Sequence, residues 1–164
     1  QVGTPLTAHC DHGFELLQGN PVFTGAILGG CIDTIYDFFN GDRYLDMPLL
    51  CKKYRLFPQT ADWTGKILLL ESSEEKMTPQ KYRKALLAIK ETGIFDVISG
   101  VLIGKPMDET YVEEYKRILV DVIDHPSLPI VCNINIGHAQ PRCIIPFGIE
   151  ATVDIDNQVI RFVN

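Results

Sequence analysis

At 164 residues the chain has the length of a single domain, with room for a substantial core. Apolar residues make up 46% and charged residues 22%, the proportions of an ordinary globular domain, and the formal net charge is −6. That balance gives no basic patch for nucleic acid or an anionic membrane surface, the apolar runs are too short to span a bilayer, and no signal-peptide pattern is present.

Residues 1–21 are rich in Gly, Pro and polar side chains and lack periodicity, so they read as a linker or arm, with the folded domain over 22–164. Val22–Leu28 reads as a strand that ends at Gly29-Gly30. Ile32, Ile35, Tyr36 and Phe39 then recur at helical spacing, which predicts a short helix over 31–40. Residues 41–63, with Pro48 and Pro58, read as irregular. Lys66–Leu70 is apolar on both strand faces, as in a sheet covered on both sides. Thr78-Pro79 marks a helix start, with Thr as cap and Pro in the first turn, and that helix stops by Gly93.

A strand within Phe95–Ile103, a helix over Asp108–Asp124 and a strand over Pro129–Ile134 follow. Ala151–Ile155 and Val159–Val163 alternate around Asp156-Asn157-Gln158, the pattern of a terminal hairpin. Strand and helix alternate and a β-rich tail closes the chain, so the expected class is α/β with a mixed sheet.

Two polar residues stand at the ends of the buried runs. Glu71 closes Lys66-Ile67-Leu68-Leu69-Leu70, and His138 follows Ile130 through Gly137. In open α/β sheets, ligands bind beyond the carboxyl ends of the strands. A Glu that orients and a His that moves a proton are two parts of a catalytic triad. On residues alone, Glu71 reads rather as the first acid of the solvated loop Glu71-Ser72-Ser73-Glu74-Glu75-Lys76, and His138 equally as a loop histidine.

No serine supplies a third part: Ser72, Ser73, Ser99 and Ser127 all lie outside a strand–turn–helix elbow. The five cysteines (10, 31, 51, 132 and 143) lie scattered, mostly among apolar neighbours, which fits reduced thiols in a cytoplasmic setting. None stands in an electropositive exposed setting that would make it a nucleophile. His9-Cys10-Asp11-His12 has the residue types of a metal site but no further ligands at a recognisable spacing. Gly29-Gly30 before a helix serves either a tight turn or an anion, and neither nucleotide fingerprint, GxGxxG or GxxxxGK[ST], occurs.

Four blocks carry a family resemblance: Thr24-Gly25-Ala26-Ile27-Leu28-Gly29-Gly30, Trp63-Thr64-Gly65-Lys66 through Glu71, Gly93-Ile94-Phe95-Asp96 through Gly104-Lys105, and Gly137-His138-Ala139-Gln140-Pro141 through Pro146-Phe147-Gly148. Over roughly residues 20–164 the chain resembles the C-terminal domain of the LD-carboxypeptidase family of serine peptidases, in particular its microcin self-immunity branch. The resemblance implies a swivelling β/α domain, the C-terminal half of a two-domain enzyme. Its nucleophilic Ser would sit on an N-terminal flavodoxin-like domain absent from these residues. It also implies Glu71 and His138 as catalytic members of a Ser-Glu-His triad, and amide hydrolysis with no metal or organic cofactor.

The implied substrate is either a murein tetrapeptide or a small peptidyl or aminoacyl adenylate of the microcin type, and the Trp63-Thr64-Gly65-Lys66 block leans toward the second. Gly30, Cys31 and Lys76 are the candidate substrate-binding residues. The family usually has Asn where Cys31 stands. The alternative is a non-enzymatic binding or interaction domain. An isolated domain of this kind is expected to be inactive and to self-associate, as a homodimer, through the face that carries Glu71 and His138.

Overall fold

The computed structural model describes residues 10–163. Its strands are β1 (Glu15–Gln18), β2 (Val22–Cys31), β3 (Ile67–Glu71), β4 (Gly100–Gly104), β5 (Ile130–Ile134), β6 (Glu150–Asp154) and β7 (Val159–Phe162). The helices are α1 (Ile32–Asn40), α2 (Met47–Tyr54), α3 (Pro79–Lys90) and α4 (Val112–Ile123). All seven strands form one mixed sheet in the order β1-β5-β4-β3-β2-β6-β7.

The middle of the sheet is parallel: β2 pairs with β3, β3 with β4, and β4 with β5. Both margins are antiparallel, β1 against β5 and the β6–β7 hairpin against β2. Strand β2 serves two neighbours in turn. Residues 22–26 pair with β6 and residues 27–31 with β3. That split lets the sheet curl, so that β6 and β7 cover part of the face opposite the helices.

The uninterrupted apolar strands follow from this curl. In β3, Leu68 and Leu70 face α1, α3 and α4, packing with Ile32, Leu86, Ile89, Tyr115 and Leu119. Ile67 and Leu69 face the other way, into a second core built with Phe23, Ile27, Leu102, Val131, Ala151 and Val153. Each such side chain contributes about 1.5–3 kcal/mol on full burial, so a polar residue at any of these four β3 positions would be costly. The α3 start is as the sequence predicts: Thr78 Oγ1 accepts from Lys81 N at 3.3 Å and Pro79 lies in the first turn.

Three sequence expectations need correction. Residues 41–63 contain a helix, α2, in which Pro48 occupies the first turn and does not break the chain. Only Cys51 of α2 is buried, so the apolar stripe that marks α1 and α4 is missing there. The helix expected from Asp108 starts at Val112, after a separate 3-10 turn over Met107–Glu109. The segment 1–21 is not all arm. Residues 1–9 lie outside the described residues, but Glu15–Gln18 form an edge strand on β5. Among the described residues no helix is long and apolar enough to cross a membrane.

Strand β2 can hold its register on β3 only because position 29 is glycine. Gly29 has φ +141°, and a Cβ there would stand 1.9 Å from the Leu69 carbonyl oxygen. Gly30 shares the backbone conformation, at φ +146°, but a Cβ would meet nothing within 4 Å. Gly30→Ala should therefore cost only the conformational strain, about 1–3 kcal/mol. Gly29→Ala adds a backbone clash and should exceed it by at least about 2 kcal/mol, in the range of severe core lesions. Urea denaturation of the two variants checks this; equal midpoints would contradict the register argument.

Candidate functional site

The parallel strands deliver their last residues to one edge of the sheet. Cys31 ends β2, Glu71 ends β3, Gly104 ends β4, and the loop after β5 carries His138. Cys31 and Glu71 are register partners on adjacent strands. Glu71 and His138, 67 positions apart in sequence, meet there: His138 Nδ1 lies 2.9 Å from Glu71 Oε2. A carboxylate only accepts, so the bond places a proton on Nδ1. The Glu71 side chain is 12% exposed and that of His138 36%.

Glycines set this contact. A Cβ on Gly137 (φ +92°) would stand 2.6 Å from Glu71 Oε2, and one on Gly104 would stand 2.8 Å from Glu71 Cβ and from the Ile136 carbonyl oxygen. Glu71 is thus held in a slot with two glycine walls. The ring is fixed from below by a carboxylate that has little room to turn.

The other ring nitrogen is also occupied. His138 Nε2 lies 3.0 Å from Oε2 of Glu74, a side chain 64% exposed. Sequence reasoning placed Glu74 only in an acidic loop. Its spacing from Glu71 gave no signal, because the contact depends on how the loop folds back. Asp33 of α1 accepts from Ser73 N at 3.0 Å and pins that loop next to Glu74. Lys76, a sequence candidate, has φ +52° and pairs with Asp108 Oδ2 at 2.5 Å, an ion pair between the loops after β3 and β4.

Cys31 precedes α1 at its N-cap but makes no side-chain cap bond. Its thiol points to Asp33 Oδ2 at 3.7 Å. Burial pushes the Cys31 thiol up from its usual range, and the nearby Glu71 and Asp33 carboxylates push the same way. Burial also holds Cys132 in the core up at about 12. Gly30 adds backbone and open space to this edge.

Of the serines, Ser72 is buried beside Glu71, and Ser127 Oγ lies 3.2 Å from His125 Nδ1 ahead of β5, at the opposite edge of the sheet. Among the described residues the ring of His138 has Glu71 and Glu74 as its partners. No group of three or more His, Cys, Asp and Glu among the described residues is arranged to hold a metal, and His9 of the sequence cluster lies outside them. A cavity of about 440 Å³ under α4, lined by Lys105, Lys116 and Glu15, includes neither Glu71 nor His138.

The family description "LD-carboxypeptidase C-terminal domain" matches residues 24–153. The chain is 24% identical over 145 residues to the microcin self-immunity protein MccF of Escherichia coli, covering 87% of this chain and 37% of that protein. The crystal structure of an MccF-like protein from Streptococcus pneumoniae in complex with AMP is 55% identical, with a TM-score of 0.94, over 98% of this chain and 47% of that one. A structure of MccF in complex with glutamyl sulfamoyl guanosine, 18% identical over 100% of this chain and 44% of that one, superposes with a TM-score of 0.73 and shares the fold. The chain spans less than half the length of these relatives.

Two outcomes follow from the geometry. Gly137→Ala should expel the Glu71 carboxylate from His138 Nδ1, because a Cβ cannot stand 2.6 Å from Oε2. The low-field proton signal of a carboxylate-bound imidazole N–H should vanish from the NMR spectrum while amide signals of α3 and α4 stay in place; a persisting signal would contradict the slot. Alkylation by iodoacetamide at neutral pH should reach the exposed Cys10 and Cys143 first. The raised thiols of Cys31 and Cys132 should lag, because the thiolate is the reacting form. Peptide mapping with time gives the order, and early labelling of Cys31 would contradict it.

Proposed function

The chain belongs to the LD-carboxypeptidase family as a C-terminal domain, and from that premise we propose that it supplies the base and its orienting acid to a serine amide hydrolase. The observation that carries this reading is the 2.9 Å bond between Glu71 and His138 at the carboxyl edge of the sheet. In this proposal His138 Nε2 takes the proton from a serine hydroxyl as the serine attacks the amide carbonyl. The imidazolium then protonates the leaving group. Glu71 keeps Nδ1 protonated and stabilises the imidazolium.

The serine and the oxyanion donors come from a separate, N-terminal nucleophile domain. The loop after His138 gives that domain an apolar surface to pack against, since Ile144 is 95% exposed and Phe147 is 51% exposed. Gly30, Cys31 and Lys76 border the substrate. The same surface is where two copies of the isolated domain would pair. The free cysteines fit a reducing, cytoplasmic setting.

For the substrate we favour an aminoacyl or peptidyl adenylate analogue, with the acyl group on nitrogen, over a murein tetrapeptide. The support is the AMP bound by the 55%-identical relative. Residues 1–164 alone should show no turnover, because a base without nucleophile and oxyanion hole has nothing to activate. The protein joined to its nucleophile domain should hydrolyse a non-nucleotide amide poorly and an aminoacyl sulfamoyl adenosine well. His138→Ala should lower kcat by about 10³-fold or more, the scale of losing a triad member. Full activity in His138→Ala would defeat the catalytic reading. Release of D-alanine from a murein tetrapeptide, with the adenylate analogue untouched, would move the substrate to the other class.

A further inference from the structure

Both nitrogens of the His138 ring face carboxylates, at 2.9 Å for Glu71 and 3.0 Å for Glu74. A carboxylate accepts and cannot donate, and a neutral imidazole carries one N–H. The two contacts are hydrogen bonds together only while the ring carries both protons. In that form Nε2 has no lone pair and cannot take a proton from a hydroxyl. The Glu74 contact and the use of His138 as a base therefore exclude each other.

The two carboxylates are held very differently. Glu71 sits in the slot between Gly104 and Gly137 and is 12% exposed. Glu74 is 64% exposed, and the loop is fastened on either side of it. Ahead of it, Ser73 N donates to Asp33 Oδ2. Beyond it, Lys76 N donates to the Ser73 carbonyl oxygen at 3.2 Å, and Lys76 Nζ bonds Asp108. The backbone is thus set so that the Glu74 side chain reaches Nε2, while the side chain itself is free to turn into solvent. An exposed ion pair of this kind is weak and easily exchanged for a better partner.

We infer that Glu74 is a placeholder on the base: it occupies His138 Nε2, and it must swing off before that nitrogen can meet a nucleophile hydroxyl. While seated, Glu74 keeps the ring aligned and inert. When the nucleophile domain docks, the hydroxyl takes its place, the Glu74-facing proton leaves to solvent, and Nε2 becomes an acceptor. Glu74 is a positioning residue in this scheme, and the role rests on the reading of His138 as the base.

Carbethoxylation by diethyl pyrocarbonate reports the contact directly, since the reagent attacks an imidazole nitrogen with a free lone pair. The 164-residue chain, its Glu74→Ala variant and its Glu74→Asp variant are treated at neutral pH and the modified histidines mapped by mass spectrometry. The rate scales with the fraction of molecules in which Nε2 is free, so a weak exposed contact slows it about two- to sixfold. His138 should react about two- to sixfold faster in Glu74→Ala than in the parent, while His12 and His125 react unchanged and serve as references. Glu74→Asp keeps the charge but shortens the reach, and should behave as Glu74→Ala. Equal rates at His138 in parent and Glu74→Ala, or full protection in Glu74→Asp, would overturn the inference.

The same variants in the protein joined to its nucleophile domain separate this inference from the reading beneath it. There the hydroxyl competes with Glu74 for Nε2 in every turnover, so Glu74→Ala should raise kcat with KM unchanged. A fall in kcat would overturn the placeholder role. If that protein hydrolyses no amide while the protection of His138 by Glu74 persists in the 164-residue chain, the proposed function fails and the contact stands. If hydrolysis depends on His138 and no protection is seen, the placeholder fails alone.

Discussion

The carboxyl edge of the sheet depends on how closely the loop after β5 can approach the end of β3. Glu71 lies between two backbone segments that carry no side chains where they face it, Gly104 and Gly137. A methyl group on either would occupy the space of the Glu71 side chain. The Gly104 wall is the end of β4 and has the rigidity of the sheet, while the Gly137 wall belongs to the loop that carries His138 and closes against the carboxylate from the other side. The ring of His138 sits on a loop, which is otherwise a poor place from which to hold a nitrogen within hydrogen-bond distance. It is oriented because the group beneath it cannot turn. The order of dependence runs from sheet register, to the slot, to the carboxylate, to the ring.

The register in turn rests on burial from both sides. A parallel strand such as β3 has no polar face and is stable only between two layers. One layer is α1, α3 and α4, and the other is the curled margin of the same sheet, with Ala151 and Val153 from β6 in the second core. That curl is possible because β2 changes partner halfway along, and the change occurs near glycines that tolerate positive φ and close contact.

Those features explain what could be read from the sequence and what could not. The runs of β3 and β5 were legible because burial on both faces leaves a continuous apolar signature. Helix α3 was legible because its cap, Thr78, and its first-turn Pro79 are adjacent in sequence. The meeting of Glu71 and His138 at one edge was legible because each stands just beyond such a run, and the roles proposed for them come from the family resemblance. Helix α2 left no stripe, since Cys51 is its one buried residue. Strand β1 is four residues long, and its partner β5 comes more than a hundred residues later, so nothing local announces it. What Gly104 and Gly137 approach is likewise a long-range fact, as is the return of Glu74 to the ring.

In the proposed function His138 is a base at a domain boundary, and such a base faces a problem that a base in a single-domain site does not. Its reactive nitrogen must be left open for a group carried on another body, yet an imidazole left open on a loop is free to rotate and to pair with whatever is near. Glu71 alone fixes one nitrogen and leaves the ring a hinge about that bond. A second acceptor on Nε2 removes the hinge, and an exposed carboxylate on a pinned loop does so without burying a competing charge. The asymmetry between a carboxylate in a slot and one in solvent is what allows one to be permanent and the other temporary. Reversing it, with the exposed acid on Nδ1 and the buried one on Nε2, would give a ring that is held just as firmly but can never be released toward the nucleophile.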